Sequence, residues 1–323
     1  MKAICVFSGG LDSMLAASLM RAQGIDVLAL FFETPFFSPQ RAEKSATAID
    51  LPFKVVNITE RHLKVVKNPK HGYGGNMNPC IDCHALMFRI AGEMLGQEES
   101  GFIITGEVLG QRPMSQNRKS LNIVASESGY EDLILRPLSA KCLTPTIPEE
   151  KGWVKRDLLM DFQGRTRKPQ IKMAKDLNIK DFPAPAGGCL LTEKGFSRRL
   201  KDLLTLQEDP EIRELELLKL GRHFRITPYA KIVVGRNKKE NEIINSLSSD
   251  QDIILTSANR PGPTVLGLGD FSHKSIDLAA GITAAYSDSE EGKTTTVRLV
   301  KKEKEKMLMS GSPSKEEFKK YML

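Results

Sequence analysis

The stretch that decides the fold is AICVFSGGLDSMLAASLM, residues 3–20 of a chain of 323 residues. It begins with five consecutive apolar residues, Ala3 to Phe7, a pattern typical of a strand covered on both faces of a parallel sheet. After Asp12 the apolar residues recur at helical spacing, which predicts a helix. The segment 8–13 is therefore expected to form the turn from a buried strand into a helix.

The composition of this turn favours a phosphate ligand. Gly9 and Gly10 allow a tight turn and a close approach of the backbone to a ligand. Free N–H groups at the start of a helix suit phosphate, and the hydroxyls of Ser8 and Ser13 can donate to phosphate oxygens. Asp12 is explained beside an anion if it holds Mg²⁺ or caps the helix. A plain glycine-rich turn, with Ser and Asp only as caps, is the alternative.

Strands and helices alternate through the first half of the chain. Further buried strands are predicted at 27–32, 53–58 and 102–105, with an amphipathic helix around 86–95. Such alternation predicts an α/β fold with a doubly wound parallel sheet.

The pattern changes at PAPAGG, residues 183–188, and short strands at 231–235, 252–256 and 264–268 then predict a second, smaller α+β domain. A further strand candidate lies at 295–300. We expect four segments: a domain at 1–182, a cysteine-bearing connector with helices at 183–221, a domain at 222–286 and a charged tail at 287–323.

Composition excludes some classes of protein. Lys and Arg total 47 against 40 Asp and Glu, a net charge of +7 that permits an anionic partner such as RNA. Five cysteines, an odd number, argue against a secreted disulfide framework and for a reduced compartment. No targeting signal and no apolar run of membrane length is evident, so we expect a cytoplasmic protein without a membrane partner. The oligomeric state is not indicated.

Three cysteines are candidates for chemistry. Cys80 and Cys83 form a CxxC before the amphipathic helix, where the positive helix end is expected to lower the pKa of Cys83. Such a pair suits a redox site, half of a zinc site or part of an iron–sulfur site, and a second CxxC for a zinc site is missing. Cys189, after a glycine pair, is the remaining partner, whereas Cys5 and Cys142 are expected to be spectators.

The loop resembles the SGGxDS pyrophosphate loop of the N-type ATP pyrophosphatases, the PP-loop superfamily with an adenine nucleotide alpha hydrolase-like fold. Members of that superfamily cleave ATP between the α and β phosphates and adenylate a carbonyl or carboxyl oxygen. The resemblance implies ATP and Mg²⁺ as cofactors. The cofactor-binding residues it implies are Ser8, Gly9, Gly10, Asp12, Ser13, Phe32 and Gly106.

The cysteine motifs narrow the resemblance to RNA sulfuration. Asn78-Pro79 with Cys83 resembles the first catalytic cysteine motif of tRNA 2-thiouridylases, and Gly188-Cys189 resembles the second. The stretch 106–111 with Ser115-Gln116, followed by 136–138, resembles the equivalent stretch of tRNA 4-thiouridine synthetases. The family implies ATP-dependent sulfuration of a tRNA uridine through an adenylated base, with Cys83, Cys189 and Asp12 as catalytic residues. Neither the uridine nor the ring position, C2 or C4, follows from the sequence.

Cys80 is additional to the two-cysteine thiouridylases. The set Cys80, Cys83 and Cys189 is similar to that of thiouridine synthetases that hold a [4Fe-4S] cluster. Persulfide chemistry between Cys83 and Cys189 is the alternative. The implied partners are tRNA and a sulfur donor, either sulfide or a cysteine desulfurase. Because the loop begins at residue 8, we expect no N-terminal RNA-binding domain of the 4-thiouridine synthetase type.

The second domain resembles the small RNA-binding domain of the NFACT proteins. The resemblance implies that His223 or Phe224 stacks on a base, and the Lys301 to Lys306 run is interpreted as a solvated tail. The cations implied to contact RNA phosphates are Arg222, Arg225, Lys231 and Arg236.

Two other functions remain open from the sequence. One is a PP-loop ATP pyrophosphatase that amidates or sulfurates a small molecule. The other is a nucleotide-binding, RNA-associated protein without sulfuration activity.

Overall fold

The computed structural model describes residues 1–184, 189–288, 292–311 and 313–323. The chain divides into two compact units, Met1–Glu193 and Lys194–Leu323, and each is described by itself. The predicted segment 183–188 lies outside the described residues from 185 onward.

The first unit is built on a parallel sheet. Its strands are β1 (Lys2–Val6), β2 (Asp26–Glu33), β3 (Phe53–Asn57), β4 (Phe102–Thr105) and β5 (Ile134–Leu135). They lie in the order β3-β2-β1-β4-β5, and every pairing between neighbours is parallel. The doubly wound parallel sheet predicted from the sequence is thereby confirmed.

Helices cover both faces of this sheet. In chain order they are α1 (Leu11–Arg21), α2 (Gln40–Thr47), α3 (Thr59–Lys67), α4 (Cys80–Glu93), α5 (Arg118–Ser128), α6 (Ile147–Glu150) and α7 (Lys168–Asp176). Alternate residues of β1 point to opposite faces, so Cys5 packs with residues of α1, α2 and α7, and Ile4 packs with residues of α4 and α5. Burial on both faces explains why β1 is apolar throughout.

The chain reverses direction across the sheet between β1 and β4. From β1 it moves outward through β2 and β3, and it then returns to add β4 and β5 on the other side. In open α/β sheets a ligand binds at such a switch point, beyond the carboxyl ends of the strands. Here those ends carry the segments 8–13 and 106–111, which makes this edge the candidate site.

The second unit is built on an antiparallel sheet. Its strands are β6 (Arg222–Thr227), β7 (Ala230–Val234), β8 (Ile253–Ser257), β9 (Val265–Gly269), β10 (Thr294–Lys301) and β11 (Lys304–Gly311), in the order β11-β10-β8-β9-β7-β6. All neighbouring pairs are antiparallel. Its helices are α8 (Lys194–Leu206), α9 (Ile212–Leu217), α10 (Lys238–Ser246) and α11 (His273–Tyr286).

Two apolar clusters hold this unit together. Ala280 and Ile282 of α11 pack with Ile232 and Val234 of β7. In the second cluster, Leu217 and Ile244 pack with strand residues that include Val233. The predicted α+β domain is thus confirmed, with helices packed on an antiparallel sheet.

The expectation of a charged tail at 287–323 is wrong. Strand β10 pairs with both β8 and β11, and a 3-10 helix at Lys315–Tyr321 buries Phe318 in the core. Alternation explains this: Val297 and Leu299 face the core while their neighbours carry the charges. The strand expected at 295–300 is confirmed. The connector expected at 183–221 is not a separate unit, because the boundary between the two units lies between Glu193 and Lys194.

None of the helices in the described ranges is both long and apolar enough to cross a membrane.

Candidate active site

The loop after β1 leaves the start of α1 ready for an anion. Gly10 occupies the N-cap of α1 and therefore supplies no side-chain cap. The Ser13 hydroxyl donates to the Gly10 carbonyl (2.8 Å), and the Gly10 N–H donates to Ser8 Oγ (3.4 Å). The first N–H groups of a helix without a side-chain cap, at its positive end, form an anion-binding position.

The two loop glycines have different roles. Gly9 has a φ of +73°, and a Cβ there would lie 2.5 Å from Ala42 Cα. The Ser45 hydroxyl also donates to the Gly9 carbonyl (2.8 Å), so Gly9 serves the packing of α2 against the loop. A Cβ on Gly10 would meet only Ser8 Oγ, at 3.5 Å, so the space over Gly10 is the one open to a ligand.

Gly106 brings the end of β4 against the loop. A Cβ at this position would lie 2.4 Å from the Ser13 nitrogen and 2.7 Å from the Asp12 carbonyl oxygen. The structure therefore joins this predicted residue to the predicted loop through close backbone packing. Phe32, predicted to lie near adenine, is 3% exposed and packs in the core with Ile58 and Leu86. Its contact with adenine stays a prediction.

Asp12 lies at the end of a chain of amide hydrogen bonds. Gln111 donates from Nε2 to Asp12 Oδ2 (2.8 Å), and Gln170, at the start of α7, donates to Gln111 Oε1 (3.2 Å). Asp12 Oδ1 and Gln170 Oε1 are buried without a hydrogen-bond partner among the described residues. Buried acceptors left without partners are rare in folded proteins, and such atoms mark the position of a ligand or ion.

Opposing effects act on the pKa of Asp12. Burial raises the pKa of this carboxyl, and the Gln111 hydrogen bond and the charges of Arg167 and Arg112 offset that rise only in part. The Arg167 Nε atom is itself buried without a partner in the described part of the chain. A free carboxylate oxygen beside a helix start open to an anion fits the donor set of Mg²⁺, which takes oxygen ligands together with phosphates.

The two cysteine motifs meet in this unit. Cys80 begins α4 and Cys83 lies on the same helical turn, while Cys189 precedes the 3-10 helix Leu190–Thr192. After burial, ionisation of Cys189 or Cys80 would also raise the pKa of Cys83, so the three thiols lie within electrostatic reach of one another. The sequence could not show this convergence across more than 100 residues.

Backbone contacts hold the Cys189 segment in place. The Met77 N–H donates to the Leu191 carbonyl (3.2 Å), and the Asn76 side chain donates to the Thr192 carbonyl (2.6 Å). The Asn78 amide donates to Cys80 Sγ (2.9 Å). The segment before α4 therefore contacts both cysteine positions. The glycine pair before Cys189 lies outside the described residues.

The lowered pKa expected for Cys83 is wrong. Burial raises the pKa of its thiol well above the ordinary value, because the side chain is only 6% exposed and desolvation outweighs the helix end. Burial also raises the pKa of Cys80, and raises that of Cys189 to about 12. In the free protein these are neutral thiols at pH 7.

An unexpected imidazole lies beside Cys83. His62 Nε2 is 3.3 Å from Cys83 Sγ, and its ring packs against both Phe36 and Phe37 at centroid distances of 5.6 and 5.3 Å. Burial lowers the pKa of His62 to about 4, so this imidazole is neutral at pH 7. Nothing in the sequence marked His62, which lies 21 residues before Cys83.

A buried ion pair supports the residue after Cys83. The Glu107 carboxylate accepts from Arg136 Nε (2.9 Å) and lies 2.9 Å from His84 Nδ1. Burial raises the pKa of Glu107, but Arg136 and His84 together outweigh it and hold that pKa below its ordinary value. The stretches 106–116 and 136–138 thus act together, with a carboxylate that orients the His84 ring.

Arg112 lies within electrostatic reach of both the loop and the thiols. Its guanidinium lowers the pKa of both Asp12 and Cys80. It follows Gln111, so one turn after β4 carries an amide that binds Asp12 and a guanidinium within electrostatic reach of Asp12 and Cys80. The sequence pattern assigned neither residue a role, although amide and guanidinium side chains at a switch point are a usable signal.

The spectator cysteines make no contact with the other three thiols among the described residues. Cys5 is fully buried in β1, and Cys142 donates to the Asp161 carbonyl (3.3 Å). Within the described ranges, no three His, Cys, Asp or Glu side chains are grouped so as to hold a single metal ion. A preformed zinc site is therefore absent from that part of the chain.

The cations predicted to bind RNA in the second unit have partners of their own. Arg225 binds Asp202 through two hydrogen bonds (3.0 and 2.6 Å), and Lys231, which is 4% exposed, lies 3.8 Å from the same carboxylate. Arg236 pairs with Glu240 (2.6 Å). Their contact with phosphates stays a prediction.

The other predicted RNA contacts are also engaged within the fold. Arg222 lies over the Tyr286 ring, 5.1 Å from its centroid. His223 and Phe224 are 1% and 0% exposed, so the expected stacking of either on a base is wrong, because both face the interior of the unit.

Each of the two units is matched by a model of a known protein family. Residues 1–141 match the family described as "Thiamine biosynthesis protein (ThiI)", and residues 221–322 match "NFACT protein RNA binding domain". The chain combines a ThiI-like domain with an NFACT-like RNA-binding domain. The resemblance expected from the sequence is thereby confirmed for both, and the NFACT-like domain extends through the segment first interpreted as a tail.

Two curated relatives each match about two fifths of this chain. A "Probable tRNA sulfurtransferase" of Oceanobacillus iheyensis is 27% identical over 42% of this chain and 34% of its own length. The "tRNA-specific 2-thiouridylase MnmA" of Karelsulcia muelleri is 29% identical over 41% of this chain and 37% of its own length. The chain thus spans little more than a third of the length of these relatives.

Among solved structures, a 4-thiouridine synthetase–RNA complex with bound ATP shares 19% identity with this chain. The alignment covers 55% of this chain and 51% of that one, with a TM-score of 0.33.

Proposed function

We propose that the chain is an ATP-dependent tRNA thiouridine synthetase, which replaces a carbonyl oxygen of a tRNA uridine by sulfur. One observation carries the proposal: a single compact unit holds a loop whose helix start is open to an anion, an Asp12 oxygen without a partner among the described residues, and three thiols within electrostatic reach of one another. The family matches and the sulfurtransferase relatives support the same reaction class.

The first step uses the loop. The uridine carbonyl oxygen attacks the α-phosphorus of ATP, and pyrophosphate leaves with the electrons of the broken P–O bond. The N–H groups at the start of α1 bind the departing phosphates, and Arg167 and Arg112 offset their charge. Asp12 Oδ1 is the atom that would hold Mg²⁺, which supplies further neutralisation of phosphate charge when bound. Adenylation creates the leaving group that a uridine oxygen lacks.

The second step uses the thiol side of the site. A sulfur nucleophile adds to the ring carbon that bears the adenylated oxygen, and AMP leaves. The product carries a thiocarbonyl in place of the carbonyl. Arg112 lies within electrostatic reach of both Asp12 and Cys80, which supports two steps that take place close together in one unit.

Two sources of the sulfur are consistent with the proposal. Cys80, Cys83 and Cys189 are the residues that would hold a [4Fe-4S] cluster, whose iron without a protein ligand offers a position for hydrosulfide. Each thiolate of such a cluster binds its own iron, so the three need not converge on one ion. Neutral thiols become ligands when a metal displaces their protons, which the raised pKa values do not prevent.

The alternative source is a persulfide on Cys189. Its terminal sulfur would attack the ring carbon, and the Cys83 thiolate would then attack the Cys189 sulfur. The S–S bond to the product would break, and a Cys83–Cys189 disulfide would remain, to be reduced before the next cycle. In this route Cys80 has no part.

Cys80 therefore distinguishes the two sources. The chain and its Cys80→Ala and Cys142→Ala variants would be reconstituted with iron and sulfide without oxygen and analysed for bound iron. We expect about four irons in the original chain and in Cys142→Ala, and loss of iron with Cys80→Ala. Iron-free protein whose Cys80→Ala variant still sulfurates tRNA would establish the persulfide route.

Pyrophosphate release tests the substrate class. Unmodified tRNA transcripts should stimulate release from ATP, and Asp12→Ala with Ser13→Ala should abolish it. Stimulation by free nucleotides or metabolites, with none by tRNA, would instead favour the small-molecule ATP pyrophosphatase.

A further inference from the structure

The turn between β10 and β11 is a concentration of unpaired positive charge. Its lysines are exposed and form no ion pair with any residue of the described ranges: Lys301, Lys302, Lys304 and Lys306. Lys301 lies directly opposite Lys304 across the hairpin, an arrangement of like charges that costs stability. Of the acidic residues here, Glu305 is already bound by Arg298 (3.0 Å).

The backbone of this turn also adopts an unfavourable conformation. Lys302 and Glu303 have φ angles of +46° and +60°, in the region that favours glycine or asparagine. The long cationic side chain of Lys302 is held at this conformational cost, which is expected where a side chain is needed for binding.

A solvent-exposed aromatic ring lies at the same end of the sheet. Tyr229, between β6 and β7, is 76% exposed, the largest value among the large apolar side chains of the described residues. Its backbone is fixed, because its carbonyl accepts from the Asp270 N–H (2.9 Å) and a Cβ on Gly269 would lie 2.1 Å from that carbonyl oxygen. A rigid turn therefore presents an exposed ring to solvent.

A cavity joins the ring to the basic turn. Tyr229 and Lys301 both line a cavity of about 420 Å³, together with Arg225. Tyr229 directly precedes β7, and Lys301 is the last residue of β10. Strand β10 lies three strands from β7 in the sheet, and three spacings between neighbouring strands correspond to about 14 Å. Among the acidic groups in this cavity, Asp252 is bound by Arg213 (2.6 Å).

We propose that this end of the sheet binds a single-stranded segment of the RNA substrate, with a base stacked on Tyr229 and phosphates on the lysines of the β10–β11 turn. The inference rests on the proposed function, because RNA is its ligand. An exposed ring selects an unpaired base, which a duplex does not offer, and the lysines track the backbone. The arginines predicted from the sequence are held by Asp202, Glu240 and the Tyr286 ring within the fold, and their contact with phosphates stays a prediction.

Binding of the full chain to fluorescent tRNA and to a labelled single-stranded oligoribonucleotide tests the surface. A Lys302→Gln, Lys304→Gln double variant should weaken binding and make the slope of log affinity against log salt shallower by about 1.4, roughly 0.7 for each lost phosphate contact. The matched control is Lys238→Gln with Lys239→Gln, two exposed lysines after the other end of β7.

The ring has its own test. Tyr229→Ala should weaken binding about tenfold, whereas Tyr229→Phe, which keeps the stacking surface, should bind as the original chain does. Equal thermal stability of the variants would show that the fold is intact.

The outcomes separate this inference from the proposed function. Original chain that binds RNA, with turn and Tyr229 variants that bind equally well, would overturn the surface and leave the function standing. Original chain that binds no RNA would overturn the proposed function. Displacement of the RNA by an acidic peptide, with no effect of Tyr229→Ala, would show a general anion site and also overturn the inference.

Discussion

Gln111 donates to one carboxylate oxygen of Asp12 at 2.8 Å and leaves the other, Oδ1, buried and without a partner among the described residues. The first contact fixes the orientation of the carboxylate, and the second atom is the one left for a ligand. Because Gln170 in turn donates to Gln111 (3.2 Å), helix α7 takes part in a site otherwise built at the ends of β1 and β4.

Replacement of the Asp12 charge should stop catalysis without loss of stability. Burial raises the pKa of this carboxyl, so folding disfavours its charged form, and Asp12→Asn removes that cost while keeping the shape. We expect pyrophosphate release to fall at least 100-fold with an unchanged or higher melting temperature. An Asp12→Asn protein with normal ATP cleavage would remove Asp12 from the mechanism.

Loss of the amide chain should weaken ATP binding. Gln111→Leu leaves Asp12 without its donor and Gln170 without its acceptor, so the carboxylate loses its fixed orientation. Groups that orient a metal-binding carboxylate are typically worth 10–100-fold in affinity. Calorimetric titration with Mg²⁺ and a non-hydrolysable ATP analogue measures this, with exposed Gln163→Leu as the control. Equal affinities in the two variants would contradict the role of Gln111.

A methyl group at Gly106 should disrupt the switch point. The Cβ of Gly106→Ala would lie 2.4 Å from the Ser13 nitrogen, and the backbone there cannot yield without moving the loop. We expect a cost of about 1–3 kcal/mol in unfolding free energy and the loss of nucleotide binding. Gly195→Ala in α8, where a Cβ has nothing within 4 Å, should be neutral or slightly stabilising. Similar behaviour of the two variants would show that the close approach does not matter.

The second unit should lose stability in mild acid. Burial and the nearby Lys231 charge lower the pKa of His223 well below its ordinary value, although its bonds to the carbonyls of Leu217 and Leu220 oppose this. The unfolded chain therefore binds a proton below about pH 6.5 that the folded unit does not. Stability should fall as the pH drops, by at most about 1.4 kcal/mol per pH unit from this group.

Hydrogen exchange of peptides from β6 and β7 between pH 7 and pH 5, corrected for intrinsic rates, measures this dependence. His223→Gln should flatten it, and the exposed His273→Gln should leave it unchanged. A slope that His223→Gln does not alter would assign the acid sensitivity to other groups.

Local pattern was sufficient for four of the five strands of the first unit and for the loop. A five-residue apolar run followed by two glycines specifies a buried strand and a tight turn, whatever the rest of the chain does. Helix α11 was missed because small and apolar residues such as Ala279 and Ala284 surround its axis, so no polar stripe marks it. Strand β11 was missed because most of its residues are exposed, Lys304 among them.

Long-range partners decide what the sequence could not show. Arg225 is neutralised by Asp202, 23 residues earlier, so its positive charge could not be judged from its own surroundings. Likewise, the pKa of Cys83 depends on burial and on Cys189, and the helix end alone predicted the wrong direction. The unpaired lysines after Lys301 became significant only because the chain there folds back into a hairpin.

Mass spectrometry of tRNA nucleosides tests the central claim most directly. Unmodified tRNA would be incubated without oxygen with the iron-reconstituted chain, ATP, Mg²⁺ and sulfide, then hydrolysed to nucleosides. We predict thiolated uridine with the original chain and with Cys142→Ala, and none with Cys83→Ala, Cys189→Ala or Asp12→Asn. Complete absence of thiolated uridine from tRNA, under conditions in which the chain binds tRNA and releases pyrophosphate from ATP, would contradict the account.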